Sequence, residues 1–305
     1  MNIPPTDYDA IIIGGGPAGL SAGLWLARYR RRVVILDSGK PRNDPTWAVH
    51  GYPGLVDPPP HELRRVLIDQ ATEAGAEWRA ADVDHVSGEK NNFAVHLEDG
   101  SALTARRVIL AHGKRDNLPD IPGARELYGH SIFHCPDCDG PSVTGKRVGV
   151  FGWNRSAALL ALYLLTWAES TTLFTNGREP ELKKKELKVL AKYHVPIRTE
   201  RIDRFRGVND CLVAVDLALE QPVPIDAIFF HLGSPLATDI ANRLGCKRER
   251  GTDLKIDRAH QTTVPGIFAA GDIVGPPYLA ITAAAKGVTA AMGVHRSLLP
   301  PDQEL

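Results

Sequence analysis

The sequence predicts an α/β fold of two β-α-β modules, each with a parallel sheet and the second inserted into the first. Tyr8–Ile13 is a nearly continuous apolar run, typical of a parallel strand buried on both faces. Pro17 suits the first position of a helix, where its missing N–H has no partner to lose. Val33–Leu36 is the next strand and ends at Asp37. These elements form the first module.

The same order of elements recurs later in the chain. Arg147–Phe151 is a predicted strand, Ser156–Trp167 a helix and Thr171–Phe174 a strand. Ile267–Asp272 then predicts one more buried strand with a Gly-Asp turn. We assign this last strand to the first module, so the chain would return to the first module after completing the second. We therefore expect the second module to be inserted into the first.

Composition limits the classes of function. The 305 residues include 36 Lys and Arg against 36 Asp and Glu, and 43% are hydrophobic. Zero net charge argues against nucleic acid or an anionic membrane as the main partner. The N-terminus has no signal-peptide pattern, and the most apolar stretch, Ala157–Ala168, is too short to span a bilayer. We expect a cytoplasmic protein.

A glycine-rich loop connects the first strand to the first helix. Gly14, Gly16 and Gly19 have the spacing that allows a tight turn, close approach of a diphosphate and close helix–strand packing. Asp37, at the end of the next strand, is placed to accept hydrogen bonds from a ribose. The pattern predicts a dinucleotide site at the helix N-terminus.

The segment Cys135-Pro136-Asp137-Cys138 can open and close a disulfide, because its short loop keeps both sulfurs within bonding reach. The alternative is half of a zinc site, which needs further ligands at close spacing. Cys211 and Cys246 are isolated, and His134 supplies only a third ligand. We therefore favour redox chemistry and predict no metal.

The loop of the second module departs from the first. Asn154 stands where Gly16 stands, and its side chain would crowd a diphosphate. Thr175 replaces the acid at the strand end. No arginine pair follows Thr175 to hold the extra phosphate of NADP, and Arg178 is the one nearby candidate. The module has either lost its nucleotide or binds a different ligand, and Trp153 either packs in the loop or stacks on a planar ring.

Three segments together resemble the low-molecular-weight thioredoxin reductase family of flavoproteins: Gly14–Gly19, Cys135–Gly140 and Thr263–Asp272. The resemblance implies two Rossmann-like dinucleotide-binding domains and a homodimer. It implies an FAD-binding domain at 1–115 and 245–305, and a second domain at 116–244 that carries the redox motif.

The resemblance also assigns roles. Cys138 would face the flavin, Cys135 would attack the disulfide of a thioredoxin-like partner, and Asp139 would donate or accept the proton. Asp272 would bind the ribityl and phosphate region, and Ala280 would meet the isoalloxazine ring. The cofactor-binding residues that it implies are Gly14, Gly16, Pro17, Ala18, Gly19, Asp37, Gly271, Asp272 and Ala280.

Departures from the family pattern leave alternatives open. Without the NADPH motifs we expect NADPH to be a poor donor, with ferredoxin or a second flavin near Trp153 in its place. A dithiol oxidase that uses oxygen and acts on a small molecule is one alternative function, and His50 and His134 are candidate bases for it. A non-catalytic redox-sensing flavoprotein is the other. Tyr278 could stack on the flavin or fill a dimer interface.

Overall fold

The structure, a computed structural model, describes residues 6–300. The chain forms two compact units. Unit 1 comprises the described parts of Met1–Asp44, Tyr52–Arg115 and Ser234–Leu305, and unit 2 comprises Pro45–Gly51 and Asp116–Gly233.

The helices and strands of the described residues are, in chain order, β1 (Tyr8–Ile13), α1 (Pro17–Arg28), β2 (Val33–Asp37), α2 (Pro60–Glu73), β3 (Glu77–Ala80), β4 (Val83–Glu89), β5 (Asn92–Leu97), β6 (Ala102–Leu110), β7 (Ile132–Phe133), α3 (Pro136–Asp139), β8 (Arg147–Phe151), α4 (Arg155–Leu164), β9 (Ser170–Phe174), α5 (Lys184–Lys192), β10 (Ile197–Arg198), β11 (Ile202–Val208), β12 (Cys211–Leu217), β13 (Ala227–Phe230), α6 (Ile240–Arg243), β14 (Arg248–Arg250), β15 (Asp253–Leu254), β16 (Ile267–Ala269) and α7 (Ala280–Ser297). Single 3₁₀ turns span Pro141–Val143 and Gly271–Val274.

Unit 1 is built on a sheet in the order β3-β2-β1-β6-β5-β4, and β16 pairs with β6. β1 lies parallel to both β2 and β6, with Ile12 opposite Ile35 and Ile109. These side chains are fully buried, which accounts for the continuous apolar runs in the sequence. β4, β5 and β6 are antiparallel and form a hairpin extension of the sheet.

Helices α1 and α7 of unit 1 pack closely because of small residues at their contact. A Cβ on Gly287 would lie 2.0 Å from the carbonyl oxygen of Ala18, so a larger residue there would force the helices apart. The close packing holds the first turn of α1 firmly. This turn carries the glycine-rich loop.

Unit 2 contains a parallel sheet in the order β10-β9-β8-β13-β7 and a separate antiparallel hairpin of β11 and β12. β8 pairs with β9 and β13, and its residues from Val148 onward are buried. Both units thus have the parallel β-α-β order, which confirms the predicted α/β class with two Rossmann-like modules.

Two segments lie in a different unit from the one that their position in the sequence predicted. Residues 234–244, expected in the inserted module, belong to unit 1, where Leu236 bridges to Lys114 and Ala237 N donates to Gly113 O at 3.0 Å. Residues 45–51 belong to unit 2, where the Trp47 ring packs edge-on against His130 with centroids 4.7 Å apart.

Within residues 6–300, no helix combines the length and the hydropathy needed to cross a membrane.

Candidate active site

The glycine-rich loop between β1 and α1 has one glycine that packing within unit 1 does not require. Gly14 has φ of +115°, and a Cβ there would lie 2.3 Å from the carbonyl oxygen of Ala111. A Cβ on Gly19 would lie 1.8 Å from Gly14 O. A Cβ on Gly16, by contrast, would meet no atom of the described chain within 4 Å. The space beside Gly16 is therefore available for a ligand.

The N-terminus of α1 suits an anion. Gly16 is its cap residue and has no side chain to satisfy the first N–H groups, and Pro17 follows. Unsatisfied N–H groups and the helix dipole attract negative charge. This end of α1 thus fits the diphosphate of FAD.

Asp37 lies buried at the end of β2, against the glycine-rich loop. Its Oδ2 accepts from Arg64 Nη2 at 2.5 Å and from Trp78 Nε1 at 3.3 Å, and its Oδ1 accepts from Gly39 N at 2.9 Å. A Cβ on Gly15 would lie 2.0 Å from Asp37 Oδ2. The carboxylate is thereby fixed beside the loop, where it can also accept from a ribose hydroxyl.

A pocket next to this loop is lined partly by residues that the sequence motifs did not identify. It is lined by the loop, by Asn43 and by α2 residues that include Leu63 and Arg64. Arg64 Nε is buried, and no group of the described residues accepts a hydrogen bond from it. Arg64 therefore keeps a donor for a ligand in the pocket. No local pattern distinguishes an arginine on a helix, so sequence reasoning had no signal for it.

The Gly271-Asp272 turn lies beside the first turn of α1. Gly271 has φ of +80°, and a Cβ there would lie 2.9 Å from the Cβ of Ala18. Asp272 Oδ2 accepts from Arg42 Nη1 at 2.7 Å, and Arg42 Nη2 also donates to Ser234 Oγ at 3.1 Å. The Gly271-Asp272 turn is thus adjacent to the helix that follows the glycine-rich loop, and Arg42, which the sequence analysis did not identify, is bonded to this turn.

Tyr278 lies before α7 and is held by charged residues of unit 1. Its hydroxyl donates to Asp253 Oδ1 at 3.2 Å, and Lys114 Nζ donates to that hydroxyl at 3.2 Å. Lys114 is buried and also donates to Asp253 at 2.5 Å. Ala280, the next predicted site residue, is half-buried at the first position of α7.

In unit 2, Cys135 and Cys138 are joined by a disulfide. Cys135 caps the short helix α3, and Cys138 N donates to Cys135 Sγ at 3.1 Å. This donor would stabilise negative charge on the Cys135 sulfur when the disulfide opens. The described residues contain no group of three His, Cys, Asp or Glu side chains that could hold a metal ion.

Asp139 directly follows the disulfide and is buried, with a relative exposure of 8%. Burial raises the pKa of Asp139 to about 6, and the nearby His50 opposes that rise. A carboxyl with such a pKa can donate or accept a proton near neutral pH. His50 and Asp139 are distant in sequence, but the segment 45–51 packs in unit 2 with residues 116–233, so the charge of His50 can affect Asp139.

His134 takes part in a polar cluster just before Cys135. Its Nδ1 lies 2.9 Å from the hydroxyl of Tyr128, which donates to Asp116 Oδ2 at 2.8 Å. Asp116 Oδ2 is also 3.7 Å from His134 Nδ1. The cluster fixes the imidazole next to the redox motif.

In the second module, a side chain of the glycine loop caps the N-terminus of the following helix. Asn154 caps α4, and its Oδ1 accepts from Ala157 N at 3.2 Å. In α1 the corresponding N-terminus has the uncapped Gly16. The N–H group that a diphosphate would use is therefore already satisfied in α4.

The neighbouring residues of this loop are also engaged. The Trp153 ring has Arg178 over one face, with the guanidinium carbon 3.8 Å from the ring centroid. Phe151 packs edge-on against the same ring at 6.3 Å. Thr175 is fully buried and its hydroxyl donates to Arg178 O at 2.5 Å. Trp153 thus packs against Arg178 and Phe151 in this structure, which corresponds to the first of the two interpretations of the sequence, a packed loop residue.

Comparison with known proteins gives the family. The model of the pyridine nucleotide-disulphide oxidoreductase family matches residues 8–287. Thioredoxin reductase tcpT of Claviceps purpurea is 34% identical over 277 residues, which cover 87% of this chain and 86% of that protein. The crystal structure of HlmI has a TM-score of 0.89 at 36% identity, covering 95% of this chain and 92% of that one.

The crystal structure of the oxidoreductase from Agrobacterium tumefaciens has a TM-score of 0.88 at 35% identity, covering 96% of this chain and 99% of that one. These matches confirm the resemblance that the motifs indicated. The chain therefore belongs to the pyridine nucleotide-disulphide oxidoreductase family and is a thioredoxin-reductase-like, FAD-dependent disulfide oxidoreductase.

Proposed function

We propose that the protein exchanges electrons between FAD bound in unit 1 and a partner disulfide or dithiol, through Cys135 and Cys138. FAD, when bound, supplies the two-electron step that opens or re-forms the pair. The observation that carries the proposal is the disulfide at the start of α3, whose Cys135 sulfur accepts the Cys138 N–H. Residues of the glycine-rich loop, with Asp37, Arg42, Arg64 and Asp272, would hold the cofactor.

The exchange step assigns different roles to the two cysteines. In the reduced pair, the Cys135 thiolate attacks a sulfur of the partner disulfide, that disulfide breaks and a mixed disulfide forms. The partner's leaving thiolate takes a proton, for which Asp139 is the nearest candidate acid on the motif itself. Cys138 then attacks Cys135 Sγ, which releases the reduced partner and restores the Cys135–Cys138 disulfide.

A thioredoxin-like protein is the proposed partner. The support is the relative named thioredoxin reductase, which aligns over 87% of this chain. The test is a reaction of the anaerobically reduced protein with the disulfide form of a thioredoxin. Formation of free thioredoxin thiols supports the proposal, and their absence, while a small disulfide is still reduced, contradicts this choice of partner.

NADPH is not the efficient electron donor in this proposal. Asn154 satisfies the N-terminus of α4, Thr175 uses its hydroxyl within the loop, and Arg178 lies on Trp153. A phosphate or ribose at this site would have to compete with these contacts. A ferredoxin or a substrate dithiol would then supply the electrons. A second flavin at this loop could stack only on the face of the Trp153 ring that Arg178 does not cover.

A dithiol oxidase is the second candidate, favoured by the two imidazoles near the pair. His134 is fixed by Tyr128, and His50 interacts with Asp139. Either imidazole could take a proton from an incoming dithiol. The overall reaction would convert a dithiol and O₂ to a disulfide and H₂O₂. Oxygen consumption that depends on a small dithiol, without reduction of thioredoxin, would select this function.

A further inference from the structure

A row of apolar side chains lies beside the redox disulfide in unit 2. Leu159 and Tyr163 are one turn apart on α4, and their relative exposures are 48% and 47%. Trp167 follows just after the helix, and its ring packs edge-on against Tyr163 with centroids 5.5 Å apart. We call Leu159, Tyr163 and Trp167 the α4 ridge.

Two contacts join the α4 ridge to the redox motif. The hydroxyl of Tyr163 donates to Oδ1 of Asp137, which lies between the two cysteines, at 2.7 Å. At the end of α3, a Cβ on Gly140 would lie 2.6 Å from the six-membered ring of Trp167. The absence of a side chain at Gly140 thus lets the ridge lie directly against the motif.

The chemistry of the pair requires that a partner cover this region. In the mixed disulfide a partner sulfur is bonded to Cys135 Sγ, so the surface around the motif is buried. Because the tyrosine hydroxyl is already paired with Asp137, the ridge presents mainly apolar surface. A row of half-exposed apolar side chains next to a site of obligatory contact indicates an interface.

We propose that the α4 ridge is the docking surface for the apolar rim around the disulfide of a partner protein. This inference rests on the proposed function and adds which face of the molecule selects the partner. Aromatic side chains such as Tyr163 and Trp167 often dominate the binding energy of interfaces, and Leu159 would extend the contact.

The length of the ridge favours a protein over a small dithiol. A helix rises about 1.5 Å per residue, so the five steps from Leu159 to the end of α4 at Leu164 extend over roughly 7.5 Å, and Trp167 continues the ridge beyond the helix end. A small dithiol bonded to Cys135 would contact the motif and its immediate neighbours. A protein surface would cover Leu159 as well.

The experiment compares a protein disulfide with a small one. The FAD-loaded protein is reduced anaerobically, freed of reductant and mixed with thioredoxin disulfide or with Ellman's reagent. For Leu159→Glu we expect the second-order rate with thioredoxin to fall at least about tenfold, while the rate with Ellman's reagent stays within about twofold of wild type. Tyr163→Ala should behave likewise.

A control variant outside the ridge separates docking from damage. Val208→Glu places the same charge on an exposed apolar position of β11, with a relative exposure of 55%, and should leave both rates unchanged.

Each other outcome has one meaning. Equal losses with both disulfides would show damage to the motif, and unchanged rates with thioredoxin would remove the ridge from the interface. Loss of a dimer in Leu159→Glu with unchanged rates would assign the ridge to a second copy of the chain. Each of these three results contradicts the docking inference and leaves the proposed function unaffected. A wild-type protein that reduces Ellman's reagent but no thioredoxin would contradict the proposed partner, and the ridge inference with it.

Discussion

The guanidinium carbon of Arg178 lies 3.8 Å from the centroid of the Trp153 ring. At this distance the cation interacts favourably with the ring face. Arg178 is thus engaged with a side chain of the second glycine loop, and Arg155, the first residue of α4, pairs with Glu186. A phosphate at this site would have to compete with that interaction.

The first prediction concerns the electron donor. No arginine pair follows Thr175 to hold the extra phosphate of NADPH. Charge-assisted hydrogen bonds contribute about 1.5–3 kcal/mol each, so the affinity for NADPH should fall more than tenfold per missing contact. We expect NADPH and NADH to bleach the bound FAD slowly or not at all in anaerobic stopped-flow experiments. Rapid and saturable bleaching at low concentrations of either nucleotide would show that the second loop still binds it.

The second prediction concerns the pairing of Arg42 with Asp272. Removing either partner breaks the charge-assisted hydrogen bond from Arg42 to Asp272 beside the first turn of α1, so Arg42→Met and Asp272→Ala should each weaken FAD binding at least about tenfold. Because the two side chains act together, the double variant should lose less than the sum of the single losses. FAD release is measured by flavin fluorescence, with the exposed Arg65→Met on α2 as control. Additive losses would contradict the coupling.

The third prediction concerns Asp139 and pH. Its pKa is raised from 3.8 to about 6 by burial. Between these values the folded protein holds more protons than the unfolded chain, so Asp139 makes the fold less stable as pH rises from about 4 to about 6.

Asp139→Asn removes this penalty. We expect the variant to be more stable than wild type at pH 8, by at most about 3 kcal/mol, and nearly equal to it at pH 4. Its exchange rate with disulfides should fall because the proton donor is lost. Denaturant unfolding at both pH values gives the measurement, with the exposed Asp120→Asn as control. An equal change in stability at both pH values would refute the buried-carboxyl explanation.

The fourth prediction concerns the two thiols of the reduced pair. Since Cys138 N donates to Cys135 Sγ at 3.1 Å, this contact would stabilise a thiolate on Cys135, and Cys135 should react first with limiting iodoacetamide. Peptide mass spectrometry identifies the modified residue. The exposed Cys211 and the buried Cys246 serve as internal references in the same sample. Faster modification of Cys138 would reverse the assigned roles.

Much of the fold could be predicted from the sequence because its signals are local. The apolar runs of β1 and β8 are buried on both faces, and each is followed by a glycine turn and a helix. The end of α4 was less predictable. We expected a helix to Trp167, but α4 ends at Leu164, and Trp167 N donates to Leu164 O in a closing turn.

The proposed cofactor site was predictable only at its sequence motifs. Arg42 reaches Asp272 across 230 positions, and Arg64 reaches Asp37 from a helix with no distinguishing pattern. Nothing local in the sequence indicates such pairings, because they depend on how α2 and the 3₁₀ turn pack against α1. The position of His50 in unit 2 follows in the same way from the packing of its segment.

The central claim is that electrons pass between FAD and the Cys135–Cys138 pair, and anaerobic reduction by dithiothreitol tests it most directly. We predict that dithiothreitol bleaches the flavin absorbance of the wild-type protein. The bleaching should be lost in both Cys135→Ser and Cys138→Ser, whereas dithionite still reduces the flavin in all three proteins. Bleaching by dithiothreitol at the wild-type rate in both variants would show that the pair does not carry the electrons.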